Sequence, residues 1–191
     1  MNVILASQSP RRKDLMALFS FPFTVRLSNA DETMDSRQDP ATQVAQVSRK
    51  KAEAVSHQFD DVVIAADTVV VCQGEILGKP KDASDACRML RLLSGKKHQV
   101  MTGLTVLYQG KAEVSTEITD IYFRTLTDAE IKRYVLSGEP MDKAGAYGIQ
   151  GGGALFAEKI VGDYYNVVGL PVCRLGQVLK KVVPQLTEEV T

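Results

Sequence analysis

One stretch constrains this chain more than any other: residues 62–72, Val-Val-Ile-Ala-Ala-Asp-Thr-Val-Val-Val-Cys. The run is apolar on both of its alternating faces, which is the pattern of a central strand covered by other elements on each side. Asp67 sits in the middle of it, with Thr68 beside it. A lone carboxylate in such a place costs several kcal/mol unless it is paired, protonated or bound to metal. Two readings follow. Asp67 is either a structural aspartate satisfied by backbone N–H groups or a carboxylate kept inside the fold for chemistry.

The segments around this strand alternate between β and α patterns. Residues 2–6 read as a short buried strand that stops at Ser7-Gln8-Ser9-Pro10. Ser9 is placed to cap a helix and Pro10 to open it, with Leu15, Leu18 and Phe19 at helical spacing. A second strand is expected at 23–28, and a long helix from Asp39-Pro40 to about 58 with Val44, Val47, Ala54 and Val55 inward. A helix over 83–94, a β-rich pair at 98–108 and 112–124, and a helix capped by Thr127 and Glu130 come next. After the glycine-rich stretch 138–153, strands are expected at 154–160 and 164–168, then a closing helix at 171–182. The pattern predicts an α/β fold with a mixed, twisted sheet flanked by helices, in one domain over 1–183 with a polar tail at 184–191.

Composition excludes some partners. The chain has 191 residues, 45% hydrophobic and 24% charged, and its 23 basic residues balance 23 acidic ones. That lacks the basic surplus of a protein that lives on nucleic acid polymer. Cys72, Cys87 and Cys173 are isolated, which fits a reducing cytoplasm better than a disulfide framework or a zinc site. No apolar run is long enough to span a bilayer, so no membrane partner is expected.

Chemistry-bearing residues gather at the turns. Ser7 and Ser9, followed by Arg11 and Arg12, put hydroxyls and guanidinium forks where a strand hands over to a helix, an arrangement suited to phosphate. Lys79, fixed between Gly78 and Pro80, could neutralise a polyphosphate; Lys51, on a helix face, reads by itself as solvent-exposed. Asp31, Glu32 and Asp142 could join Asp67 around a hard cation such as Mg²⁺, which takes one or two carboxylates plus phosphate oxygens and water. The stretch 142–153, DKAGAYGIQGGG, has neither the P-loop nor the dinucleotide spacing. It interleaves Tyr147 and Gln150, a ring and an amide of the kind that hold a nucleobase.

Taken in order, S-x-S-P-R-R at 7–12, A-D-T at 66–68, G-K-P at 78–80, L-S-G at 93–95, D-K-A-G-A-Y-G-I-Q-G at 142–151 and G-D-Y-x-x-V-x-G-L-P at 162–171 strongly resemble the Maf family of nucleoside triphosphate pyrophosphatases. The resemblance runs from Asn2 to about Val182. It implies a fold related to the inosine triphosphate pyrophosphatases, with two lobes and a central cleft. It further implies cleavage of a nucleoside triphosphate to monophosphate and pyrophosphate with Mg²⁺ or Mn²⁺. Asp67 matches the catalytic aspartate, and Glu32 and Asp67 are the acids expected to hold the metal. Arg12, Thr68 and Gln150 match positions linked to substrate choice, in the combination of the dTTP/UTP branch rather than the 7-methyl-GTP branch. Ser7, Arg11, Glu32, Lys51 and Lys79 match other cleft positions, and Asp31-Glu32 stands where relatives often carry Glu-Glu. The resemblance admits a homodimer as the assembly. A different class of function, a non-catalytic nucleotide-binding regulator of cell division, is the alternative to the enzyme.

Overall fold

The computed structural model describes residues 1–35, 37–55 and 57–186. Along the chain run β1 (Val3–Leu5), α1 (Pro10–Met16), β2 (Thr24–Val25), α2 (Pro40–Ala54), β3 (Val62–Cys72), β4 (Glu75–Leu77) and α3 (Ala83–Leu93). They are followed by β5 (Lys97–Tyr108), β6 (Lys111–Phe123), α4 (Asp128–Leu136), β7 (Ala157–Val161), α5 (Tyr164–Val168) and α6 (Val172–Val182). The seven strands form one mixed sheet in the order β2-β1-β3-β5-β6-β7, with β4 hydrogen-bonded to β3. β1 pairs in parallel with β2 and with β3, whereas β4 on β3 and β7 on β6 are antiparallel.

β3 is the central strand that its apolar run predicts. Val62 through Ala66 are buried without interruption, as are Val69, Val70 and Cys72. β5 and β6 meet at Gln109-Gly110, both at positive φ (48° and 73°), the two-residue turn whose twist suits a hairpin.

The chain forms two compact units. The first contains Met1–Asp67, Thr102–Glu117 and Gly169–Thr191; the second contains Thr68–Met101 and Ile118–Val168. In the first, Ile4, Ala6, Val63 and Ala65 pack with Ala52 and Val55 from the α2 region and Leu107 from β5. α2 begins at an Asp39 cap, whose side chain accepts from Thr42 N, with Pro40 at the first helical position. In the second, Leu77, Met89, Leu90 and Leu93 pack with Ile121, Phe123, Ile131, Tyr134, Tyr147 and Phe156. α4 starts with the expected capping box, Thr127 and Glu130 each bonded to the other's backbone.

Several boundaries differ from the sequence reading, each for a local reason. α1 ends at Met16, so Leu18 lies outside it and is exposed. α2 stops at Ala54 because Val55 turns extended (ψ 131°), and Ala52, not Ala54, occupies the inward stripe. Residues 164–168 are a short helix, not a strand. Asp163 Oδ1 accepts from Tyr165 N at 2.8 Å, and Asn166 Nδ2 donates to Val100 O and Thr119 Oγ1. The backbone there is shaped by side-chain hydrogen bonds, which the apolar pattern of Val167 and Val168 conceals. The strand expected at 154–160 begins only at Ala157, after a 3₁₀ turn over Gly152–Phe156. Of the expected tail, Pro184–Leu186 form one 3₁₀ turn and 187–191 lie outside the described residues.

Candidate active site

The first unit answers the question that Asp67 poses. Lys51 on α2 reaches across to β3, its Nζ 2.6 Å from Asp67 Oδ1 and 3.0 Å from Glu32 Oε1. Lys51 and Asp67 are each only 7% exposed, whereas the Glu32 side chain is 57% exposed. Two carboxylates, one deep and one at the surface, therefore converge on a single ammonium.

Asp61 supplies the contrast. It too is buried, but it accepts from the backbone N–H groups of Asn2 and Gln58 and from the Asn2 amide. Those donors, Gln58 foremost, hold its carboxyl below the usual range. Asp61 is a structural aspartate. Asp67 instead faces the ammonium of a side chain, Lys51, and not backbone N–H groups.

Beside this cluster stands the opening turn. Ser9 caps α1, its Oγ accepting from Arg12 N at 3.4 Å, and Ser7 Oγ accepts from Ser9 N at 3.2 Å. Arg12 Nη1 donates to the same Ser7 hydroxyl at 3.3 Å, and its Nε donates to Gly169 O at 2.7 Å. The guanidinium is thus aimed by a backbone carbonyl contributed from far along the chain. Burial lowers the Arg12 pKa from its ordinary value, and the nearby charges of Asp67 and Glu32 oppose that shift. Arg11 stands close enough to add a further repulsive cation. α1 has only seven residues, and Lys13 already lies in its last turn, where positive charge is favourable. What the turn offers an anion is guanidinium groups and hydroxyls rather than a long helix dipole.

Ser7, Ser9, Arg12, Glu32, Lys51 and Asp67 thus come together in one unit. Asp31, next to Glu32, is turned onto the Thr33 hydroxyl and N–H; in the second unit Asp142 pairs with Lys143 Nζ at 2.7 Å. The donor set fits a hard divalent cation. Two carboxylate oxygens already face one positively charged point, and phosphate oxygens and water would complete the shell. Among the described residues no group of three or more His, Cys, Asp or Glu gathers to hold a metal from protein ligands alone.

The reading of Lys51 as a solvated helix-face lysine is corrected by its burial. A signal was available: Val44, Val47, Ser48, Lys51 and Ala52 fall on the i, i+3, i+4, i+7, i+8 stripe that α2 buries.

The second unit holds Thr68, Lys79, Tyr147 and Gln150. Thr68 is half-buried on β3, and Lys79 is exposed. The turn that carries Lys79 is tied to the glycine-rich stretch by Gly145 N donating to Gly78 O at 3.0 Å. Gln150 is exposed in a turn closed by Gly151 N donating to Gly148 O at 3.2 Å. Tyr147, expected to face a base, is instead a core residue. It is 5% exposed, its ring lies edge-on to His98 and Phe123, and its hydroxyl is 2.9 Å from His98 Nε2. A ring packed on those partners has no open face for a nucleobase. Sequence reasoning missed His98 as its partner because nothing in the local sequence links positions 98 and 147.

Fold and cluster together define a mixed α/β protein with grouped hydroxyls, guanidinium groups and a lysine-bridged carboxylate pair. The chain belongs to the Maf-like protein family, whose model matches residues 2–182. It is 50% identical over 183 residues to the dTTP/UTP pyrophosphatase of Alkaliphilus metalliredigens (strain QYMF), covering 94% of this chain and 95% of that one. It is also 50% identical over 179 residues to the dTTP/UTP pyrophosphatase of Halalkalibacterium halodurans, covering 93% and 94%. Among solved structures, a HAM1 protein from Coxiella burnetii shares the fold with a TM-score of 0.50 at 12% identity, over 95% of this chain and 100% of that one.

Proposed function

We propose that this protein hydrolyses dTTP and UTP to the monophosphate and pyrophosphate. The observation that carries the reading is Asp67, buried on β3 and held by a lysine side chain beside Arg12, in a chain half identical to dTTP/UTP pyrophosphatases. Ser7, Ser9, Arg11, Arg12, Lys51 and Lys79 would hold the triphosphate, the arginines through bidentate contacts. Water attacks the α-phosphorus, the bond from that phosphorus to the α–β bridging oxygen breaks, and pyrophosphate leaves with that oxygen. Asp67 accepts the proton of the attacking water, its Oδ1 kept in place by Lys51. Arg12 and Lys51 face the charge that builds on the phosphoryl oxygens. Glu32 and Asp67 are the residues that would hold Mg²⁺ or Mn²⁺, which when bound would neutralise phosphate charge.

Selection of the base falls to Gln150, with Arg12 and Thr68 as further determinants. An amide offers a donor and an acceptor to the imide edge of thymine or uracil, whereas cytosine presents an acceptor and an amine at the same edge. The cytoplasm is the compartment we assign. Cys72, Cys87 and Cys173 are free thiols, and no described helix is long and apolar enough to cross a membrane.

The test is a panel of UTP, dTTP, CTP, GTP and 7-methyl-GTP with Mg²⁺ or Mn²⁺, reading pyrophosphate against phosphate. Pyrophosphate from UTP and dTTP in preference to the others is the expected result. Preference for 7-methyl-GTP, or release of phosphate alone, would overturn the assignment.

A further inference from the structure

The turn that carries Gln150 is fastened at both ends by one pair of side chains. Gly148 N donates to Tyr134 Oη at 3.0 Å, Tyr134 Oη donates to Glu139 Oε1 at 2.9 Å, and Gly152 N donates to Glu139 Oε2 at 3.0 Å. Both carboxylate oxygens and both functions of the phenol are therefore used to bracket residues 148–152. Tyr134 is buried on α4, and burial, reinforced by the Glu139 charge, pushes its phenol well above the ordinary tyrosine range. It stays protonated and donates to the carboxylate at any working pH. Lys143 Nζ donates to Glu139 O at 2.6 Å and so holds the backbone that presents the carboxylate.

The glycines of the stretch follow from this clamp. A Cβ on Gly151 would lie 2.6 Å from Glu139 Cδ, and one on Gly153 would lie 2.7 Å from Gly148 O and 3.1 Å from Tyr134 Oη. At Gly153 the obstacle is the Gly148 backbone, which cannot move aside, and at Gly151 an added Cβ would displace the Glu139 carboxylate from the bracket. Ile149 is buried while Gln150, next to it, is exposed, so the closed turn sends one side chain inward and the other outward.

We infer that Tyr134 and Glu139 are positioning residues for base selection: they touch no substrate and act by fixing the turn from which Gln150 reads the base. The specificity half of this inference rests on the proposed base-reading role of Gln150. The clamp itself does not.

The experiment has two arms. In the first, amide hydrogen exchange of the peptide covering 148–153 is followed in the substrate-free protein and in Tyr134→Phe and Glu139→Gln. Exchange about tenfold faster or more is expected in both variants, since each removes one link of the bracket. In the second, kcat/KM for UTP and GTP is measured for these variants, for Gln150→Ala and for Tyr134→Phe/Gln150→Ala. Tyr134→Phe should cost about 5- to 10-fold on UTP and narrow the UTP:GTP ratio, and it should narrow it no further once Gln150 is gone. That lack of additivity is what a merely structural role would not produce. Unchanged exchange in both variants overturns the clamp. Equal narrowing by Tyr134→Phe with and without Gln150 overturns its action through Gln150. If Gln150→Ala alone leaves the ratio unchanged, the base-reading role falls and takes the specificity half with it, while the exchange arm still decides the clamp.

Discussion

At the residue scale, what separates Asp67 from an ordinary buried aspartate is the identity of its partner. Asp61 is held by backbone N–H donors, Asp67 by the Lys51 ammonium. Asp67→Asn should keep the fold and lower kcat by about 10²- to 10⁴-fold, the usual worth of a general base. Steady-state kinetics with circular dichroism on the same sample checks it, and near-normal turnover would remove Asp67 from the mechanism. Lys51→Met should act on stability as well, because it strands a buried carboxylate. A loss of about 3 kcal/mol in urea unfolding is expected, and Lys51→Met/Asp67→Asn should regain most of that stability without regaining activity. The sequence made Asp67 conspicuous because a charge in an apolar run stands out. It hid Lys51, since a lysine on a helix face looks like solvated charge until its place on the buried stripe of α2 is counted. Tyr147 misled for the opposite reason, since an aromatic flanked by glycines can serve a ligand or a core, and only its contacts with His98 and Phe123 choose between them.

At the scale of elements, the site depends on how closely α2 approaches the sheet. Gly103 on β5 marks that approach: a Cβ there would lie 2.5 Å from the Val44 carbonyl carbon and 2.7 Å from Ala45 N, both backbone atoms of α2. Ser48 and Thr105 add a hydroxyl–hydroxyl hydrogen bond of 2.8 Å across the same contact. Backbone cannot move aside as a flexible side chain can, so Gly103→Ala must push α2 off the strand. Since α2 carries Lys51, the expected outcome is a loss of about 3 kcal/mol in stability together with a fall in kcat, although Gly103 lies outside the catalytic cluster. Thermal unfolding plus turnover of the folded fraction tests it; a variant as stable and active as the parent would show that helix and strand are not packed that tightly. Long elements were legible in the sequence because their periodicity repeats: β3, α3, the β5–β6 hairpin and the capping box of α4 all appear where expected. Short elements were not, because five residues such as 164–168 carry too little pattern to outweigh the hydrogen bonds of Asp163 and Asn166.

On the scale of the whole molecule, the group that links stability to mild acid is His98. It is 2% exposed, packed edge-on between Phe123 and Tyr147. Burial holds its pKa down, from 6.5 to about 4, against a smaller opposing effect of the Lys96 backbone. The folded protein therefore keeps His98 neutral where the unfolded chain has already taken up a proton. Between pH 6.5 and about 4 the unfolded state binds more protons, so stability falls as pH falls through that window and is fully present above it. The whole contribution is on the order of 3 kcal/mol, lost by about pH 4. Glu130 titrates in a lower range, its carboxyl held to about 2 chiefly by Arg124 and by the N–H and hydroxyl of Thr127, so it does not blur the upper part of this window. Urea unfolding at intervals from pH 7.5 to 4.5 should show the decline in the parent protein. Replacing the pair as His98→Phe/Tyr147→Phe removes the titrating ring and its hydroxyl partner together, leaving neither buried and unmatched. In that variant the slope between pH 6.5 and 4.5 should flatten whatever its absolute stability. A slope unchanged from the parent would assign the acid sensitivity to groups other than His98.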